Sequence, residues 1–205
     1  MKKKKLNNKK IIMFILIVVI IIFMIMGIKK LIKVEEPYSE PKVISKINGY
    51  ELKEGASSYY KNVFNDLEIE LNKTEIDEEN YAKIISKLFI SDCYTLDNKI
   101  NNNDIGGIQF VYGPFQDDYI LIAKETLYSH VENNIYGNRK QELPIVKAVE
   151  IISIEKNNYE YLETRDEAAY FIKAEIEYDK DLEYPKEVSI IIIHNNQKLE
   201  VAEMD

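Results

Sequence analysis

The chain predicts an α+β fold: a membrane-spanning helix, then about three helices, then a four-stranded antiparallel β-sheet on which those helices pack. Three observations carry this. Residues 11–28 hold no charge, apolar residues then recur at helical spacing as far as about residue 133, and beyond Pro144 the pattern turns to that of β-strands.

The uncharged run from Ile11 to Ile28 covers about 27 Å at roughly 1.5 Å per residue, close to the hydrocarbon thickness of a bilayer. Lys2 to Lys5, Lys9 and Lys10 precede it, whereas only Lys29, Lys30 and Lys33 follow before Glu35 and Glu36. The positive-inside rule makes residues 1–10 a basic cytoplasmic tip, 11–28 a single transmembrane helix and the remainder an extracytoplasmic part at the cell membrane. A cleaved signal peptide competes with this reading. Its cleavage site would need small residues where Lys29, Lys30, Leu31 and Ile32 stand. The lipid bilayer is therefore the first expected partner, held through residues 11–28.

Eighteen of the 27 basic residues and all 35 acidic ones lie beyond Val34, a balance of −17. Phosphate recognition needs clustered Lys and Arg, so nucleic acid is not an expected partner. Cys93 is the only cysteine, which excludes an internal disulfide and leaves stability to an apolar core. With Phe89, Ile90, Tyr94 and Leu96 around it, Cys93 is expected to be buried.

Pro37, Pro41, Gly49 and Gly55 mark residues 29–57 as a stalk, with a short edge strand around 43–47. The domain proper is read as residues 58–205. Tyr60, Val63, Phe64, Leu67 and Leu71 make one face of a first helix over 58–72. Asp77 caps a second, with Ile76 set to pack on Tyr81, and Ile84, Ile85, Leu88 and Phe89 continue its apolar face toward Tyr94. The asparagine-rich turn 97–104 and Gly106–Gly107 lead into a strand expected at 108–112, ended by Gly113–Pro114. A third helix is expected over 117–133, with Tyr119, Ile122, Ala123, Leu127 and Val131 inward.

Four strands close the chain. Residues 146–154 and 188–193 are apolar on both faces and read as interior strands. From Ala168 to Tyr178, apolar residues alternate with Lys173, Glu175 and Glu177, as in a strand with one wet face. Asn195–Asn196 supplies the turn into a last strand over 199–204.

An anchor, helices first and a long antiparallel sheet last is similar to the cone-shaped fold of the nuclear-transport-factor-two-like superfamily. Within it the layout resembles the membrane-anchored VirB-type and Tcp-type scaffold subunits of bacterial conjugation and secretion machines. The resemblance covers the element order of residues 58–205 and implies an envelope assembly, with protein partners and a homo-oligomer among its expected associations. Locally, Ser86 through Val111, with Phe89, Asp92, Tyr94, Leu96, Asn98, Lys99, Asp104, Gly106, Gly107 and Phe110, resembles a segment of anchored proteins of low-GC Gram-positive bacteria. It brings no activity, and it marks 86–112 as the first region to mutate.

Chemistry is sparse. Neither His130 nor His194 has ligand-spaced Cys, His, Asp or Glu neighbours, so no metal or cofactor is expected. His130 is placed on the apolar side of the third helix, and His194 in a solvated turn. A Cys93–His130 nucleophile pair lacks a glycine-rich nucleophile turn and an orienting third group. Asp92, Asp97, Asp104, Asp117 and Asp118 could supply an acid and a base, but Asp117 and Asp118 are explained by the helix start they occupy. Fifteen tyrosines suit protein interfaces; Tyr59, Tyr60, Tyr112, Tyr136, Tyr159 and Tyr161 lie near expected element ends.

The chain is thus expected to be no enzyme, but a scaffold or accessory subunit acting by protein association. Phe89, Asp92, Tyr94, Asp104, Gly106, Gly107, Phe110, Tyr112 and His130 are its candidate interaction or pocket residues. A small-molecule binding ectodomain that uses the cone's cavity is the alternative, and a carboxylate-dependent enzyme comes after it. A cavity plugged by aromatic side chains would favour scaffolding; an open one lined by Asp92 or His130 would favour a ligand.

Overall fold

Alternating side chains in the C-terminal third give the strands one main apolar row, and the structure uses those rows to build a sheet on which the helices pack, while Ala169 and Ile193 are buried in a smaller cluster with Tyr161. The computed structural model describes residues 41–205 together with Ile17 and Val18. Residues 1–10, read as a cytoplasmic tip, and most of the span predicted at 11–28 lie outside the described residues. Among those described, no helix is long and apolar enough to cross a membrane.

The sheet consists of β3 (Val146–Tyr161), β4 (Thr164–Tyr178), β5 (Glu187–Asn195) and β6 (Lys198–Met204), antiparallel throughout and in sequence order. Tyr170, Ile172, Ala174 and Ile176 of β4 point one way with Val188, Ile190 and Ile192 of β5, and all are buried. Asn196, at φ +56°, makes the tight return from β5 to β6. Two shorter strands, β1 (Val43–Ile47) and β2 (Tyr50–Lys53), form a separate hairpin turned by Asn48 and Gly49 at positive φ. This hairpin belongs to the stretch read as stalk, and Tyr50 at its centre is fully buried in the main core. The chain therefore joins the domain well before residue 58.

Helix α1 (Ser58–Leu71) starts at Ser57, whose hydroxyl accepts from the Tyr60 N–H, and α2 (Glu78–Tyr94) starts at Asp77, which accepts from Asn80. Ile76 remains 44% exposed, while Tyr81 goes into the core, so the expected hydrophobic staple across this cap is not the main restraint. The corner between the helices is tied instead by Glu70, which is buried and accepts from Lys73, Asn80 and the Asp77 N–H. Helix α2 packs on all four strands of the sheet and on α1. Its residues Ile85, Leu88, Phe89 and Ile90 are fully buried, each contributing about 1.5–3 kcal/mol through loss of contact with water.

Three expectations need correction. Residues 108–112 are not a strand: Ile108–Phe110 and Gly113–Phe115 are single 3-10 turns, and only Val111 pairs, in parallel, with Val201 of β6. Gly107 at φ +80° and Pro114 leave too few extended residues for a ladder. The third helix, α3 (Gln116–Glu125), ends earlier than residue 133, because Thr126 leaves helical geometry and residues 126–130 continue as turns. Finally, β3 is an edge strand rather than an interior one. Ile152 on it is 58% exposed, and the apolar content of 146–154 serves a single buried face with irregular register.

Candidate functional site

Helix α2 is apolar on more than one side, and its C-terminal half separates two cavities. Phe89, Cys93 and Tyr94 face the first, whereas Ser91, Asp92 and Thr95 face the second. Between α2 and the segment 104–112 runs a buried polar network that fixes both.

The network begins with an unusually close approach of main chain to helix. A Cβ at Gly106 would meet the Asp92 carbonyl oxygen at 2.1 Å, and one at Gly107 would meet the Phe89 ring at 2.9 Å. Only glycines allow the loop this near α2. In return the loop is hydrogen-bonded on both flanks. The Gly107 N–H donates to Asp92 Oδ2 at 2.7 Å, and Lys99 Nζ donates to Asp92 Oδ1 at 2.7 Å. The Tyr128 hydroxyl accepts from the Gly106 N–H at 2.9 Å and donates to the Cys93 carbonyl at 2.6 Å. Tyr119 donates its proton to the Gly106 carbonyl at 2.7 Å. That leaves the Cys93 thiol, 3.3 Å from the Tyr119 oxygen, to supply the proton of their contact.

These contacts decide protonation. Burial pushes the Cys93 thiol up to about 12, so it is a neutral core group and not a nucleophile. Burial would also raise the Asp92 carboxyl, but the Lys99 ammonium and the Gly107 N–H outweigh it and hold the group below its ordinary value. Tyr119 and Tyr128 are raised well above the usual phenol range by burial and remain donors.

The first cavity is a groove of about 860 Å³. One wall is Phe89, Cys93 and Tyr94 of α2 with Tyr119 and Ile122 of α3, and the other is the end of β6, from Val201 to Met204. The connection from β4 to β5 closes one end with Leu182, Tyr184 and Pro185, next to Glu183 at φ +63°. Ile122, expected to face the core, is instead 61% exposed into this groove. Asp118, Glu183 and Glu203 stand among its lining residues with His130, and no Lys or Arg does. Beyond Val201 no described strand pairs with the outer edge of β6. Tyr112 closes the near end by donating its N–H to the Val201 carbonyl at 2.9 Å.

Polar and charged residues make up most of the lining of the second cavity, whose volume is about 760 Å³. Lys99, Asp92, Tyr60 and Gln109 line it with Ser91, whose hydroxyl is buried and finds no hydrogen-bond partner among the described residues. An unsatisfied buried hydroxyl costs about 1–3 kcal/mol.

The nine sequence candidates are therefore divided. Phe89, Tyr94 and His130 line the first cavity, and Asp92, Asp104 and Gly106 the second. Gly107 makes the close approach to α2. Phe110 is fully buried and stacks on Tyr50 at 5.4 Å, and Tyr112 packs edge-on against Phe115 and Tyr161. Asp104 also accepts from the Ile100 N–H, as a turn carboxylate does. His130 is exposed and not on an apolar helix face, because α3 has already ended.

His194 is more engaged than a solvated turn residue. Its N–H donates to Asp166 Oδ2 at 2.7 Å and its Nδ1 lies 2.9 Å from the same oxygen, which pins β4 to β5. Sequence reasoning placed Tyr119 only in the core and passed over Ser91, Tyr128, Glu183 and Glu203. No spacing rule marks those four, since each matters through surroundings built by segments distant in the chain. Among the described residues no Cys, His, Asp and Glu come together as a metal-holding cluster.

Compared with family models, with curated proteins and with solved structures, the chain matches none. Its reading rests on its own geometry.

Proposed function

We propose that this chain is a membrane-anchored extracytoplasmic module that works by protein association, taking an extended segment of a partner protein into the groove beside β6. The observation that carries the reading is the β6 edge beyond Val201, which is unpaired among the described residues and lines an apolar groove. Main-chain hydrogen bonds along such an edge supply affinity, and alternate side-chain pockets supply selectivity. The chain itself begins this pairing: Val111 bridges Val201 in parallel and then turns away at Gly113–Pro114, leaving residues 202–204 open. A partner strand would continue where Val111 stops.

Charge and lining set the partner's chemistry. Phe89, Tyr94, Phe115, Tyr119 and Ile122 suit apolar side chains, and Asp118, Glu183 and Glu203 suit lysine or arginine beside them. The free edge of β3 is the weaker docking site. Its register breaks in three places, near residues 147, 152 and 158, which is how edge strands are kept from pairing.

Position in the envelope is part of the proposal. The lysine-rich tip and the uncharged run 11–28 support a single-pass anchor with the acidic domain outside, where tethering raises its concentration for partners in the same membrane. Helices followed by an antiparallel sheet support the likeness to the nuclear-transport-factor-two-like cone and to VirB-type and Tcp-type scaffold subunits.

The test is fluorescence anisotropy of a labelled lysine–valine peptide with the full chain in lipid nanodiscs. Binding should be lost in Ile122→Glu and weakened in the double reversal Asp118→Lys with Glu203→Lys. A glutamate–valine peptide should not bind. If benzyltriethylammonium binds and neither peptide does, the groove takes small cations and strand addition is wrong.

A further inference from the structure

The second cavity differs from the groove in kind, and the two share no lining residue. Three residues of its lining carry hydrogen-bond donors with capacity unused among the described residues. Ser91 is 1% exposed and its Oγ has no partner. Lys99 is 6% exposed, and only one of its three N–H groups is engaged, by Asp92. Tyr60 accepts from Gln109 Nε2 at 2.9 Å, while its own proton has no acceptor. Burial keeps that phenol protonated, so it stays a donor.

The charges around these donors nearly cancel. Lys53 and Lys99 stand against Glu51, Asp92 and Asp104, and Lys99 is already paired with Asp92 at 2.7 Å. A charged ligand of either sign would gain one set of neighbours and be opposed by the other. A neutral molecule rich in hydroxyls meets no such conflict, because each hydroxyl both donates and accepts. The volume, about 760 Å³, is in the range of small-molecule sites.

We infer that this cavity binds a neutral polyhydroxylated small molecule of the saccharide or polyol class, with Ser91, Tyr60 and Lys99 donating to its oxygens. Ser91 decides the matter over a merely structural pocket. A serine within a helix can return its hydroxyl to the carbonyl four residues back, as Ser86 does to Ala82, and Ser91, in the last turn of α2, does not. The site is independent of the strand-addition groove, and either can fail without the other.

Saturation-transfer NMR on the full chain in nanodiscs, with glucose, N-acetylglucosamine and myo-inositol as probes, tests the inference. Transfer from at least one of the three is expected, with affinity about tenfold weaker in Ser91→Ala and in Tyr60→Phe. Ser91→Ala should melt no lower than the native chain, since it removes an unsatisfied hydroxyl, and this separates lost binding from lost folding. Ile122→Glu, which disables the groove, should leave polyol transfer intact. Transfer from none of the three polyols would overturn the inference. So would binding of acetate or tetramethylammonium in their place, or polyol binding unchanged by Ser91→Ala.

Discussion

Gly106 has so little room that one methyl group decides whether the loop can sit on α2. Its added Cβ would lie 2.1 Å from the Asp92 carbonyl and 2.7 Å from Lys99 Nζ, and the first of these is helix backbone that cannot swing aside. Gly106→Ala should therefore destabilise the domain by about 3 kcal/mol, the upper part of the usual cost of overpacking, in urea unfolding. Asp92 gives a pH dependence. Its folded pKa lies below the unfolded one, so its stabilisation is fully present above about pH 4 and disappears as pH falls through the folded value. Asp92→Asn should lower the melting temperature at neutral pH and flatten the acid side of the stability profile. Cys93, fully buried and neutral, should resist iodoacetamide in the native state and react only on unfolding. The sequence offers Gly106–Gly107 as a turn signal. It cannot offer the carbonyl fourteen residues earlier that forbids a side chain there.

At the scale of elements, short-range signals were legible wherever the deciding partner is near in the chain. Asp77 caps α2 by bonding the N–H three residues on, so a single sequence window contains both groups. Asp77→Ala should cost about 1 kcal/mol in thermal or urea unfolding. The strand expected at 108–112 fails for the opposite reason. Ile108 to Tyr112 has the composition of a strand, but a ladder requires a neighbour along its whole length, and β6 offers only Val201. Residues 146–154 show the same limit: an apolar run specifies burial, while edge or centre depends on which strands lie on either side. Ile122, inside α3, faces the groove, where helical periodicity had put it in the core.

Across the whole molecule, charge and topology belong together. The −17 balance beyond Val34 and the basic tip before residue 11 predict that protease added to intact protoplasts removes the acidic domain and spares the tip. Immunoblotting with antibodies to each end checks it, and protection of the domain would reverse the orientation. By itself the sequence determined the class of the fold, the order of three helices and four antiparallel strands, the start of α2 and the burial of Cys93. Periodicity, caps and turn residues act within a few residues, and these features need nothing more. Only the tertiary structure decided that Val43 to Lys53 belongs to the domain, that β3 is an edge, and that candidate residues adjacent in sequence serve two cavities. Those outcomes are set by pairings between distant segments, such as Tyr50 against Phe110 and Val111 against Val201, and composition carries no record of which segments meet.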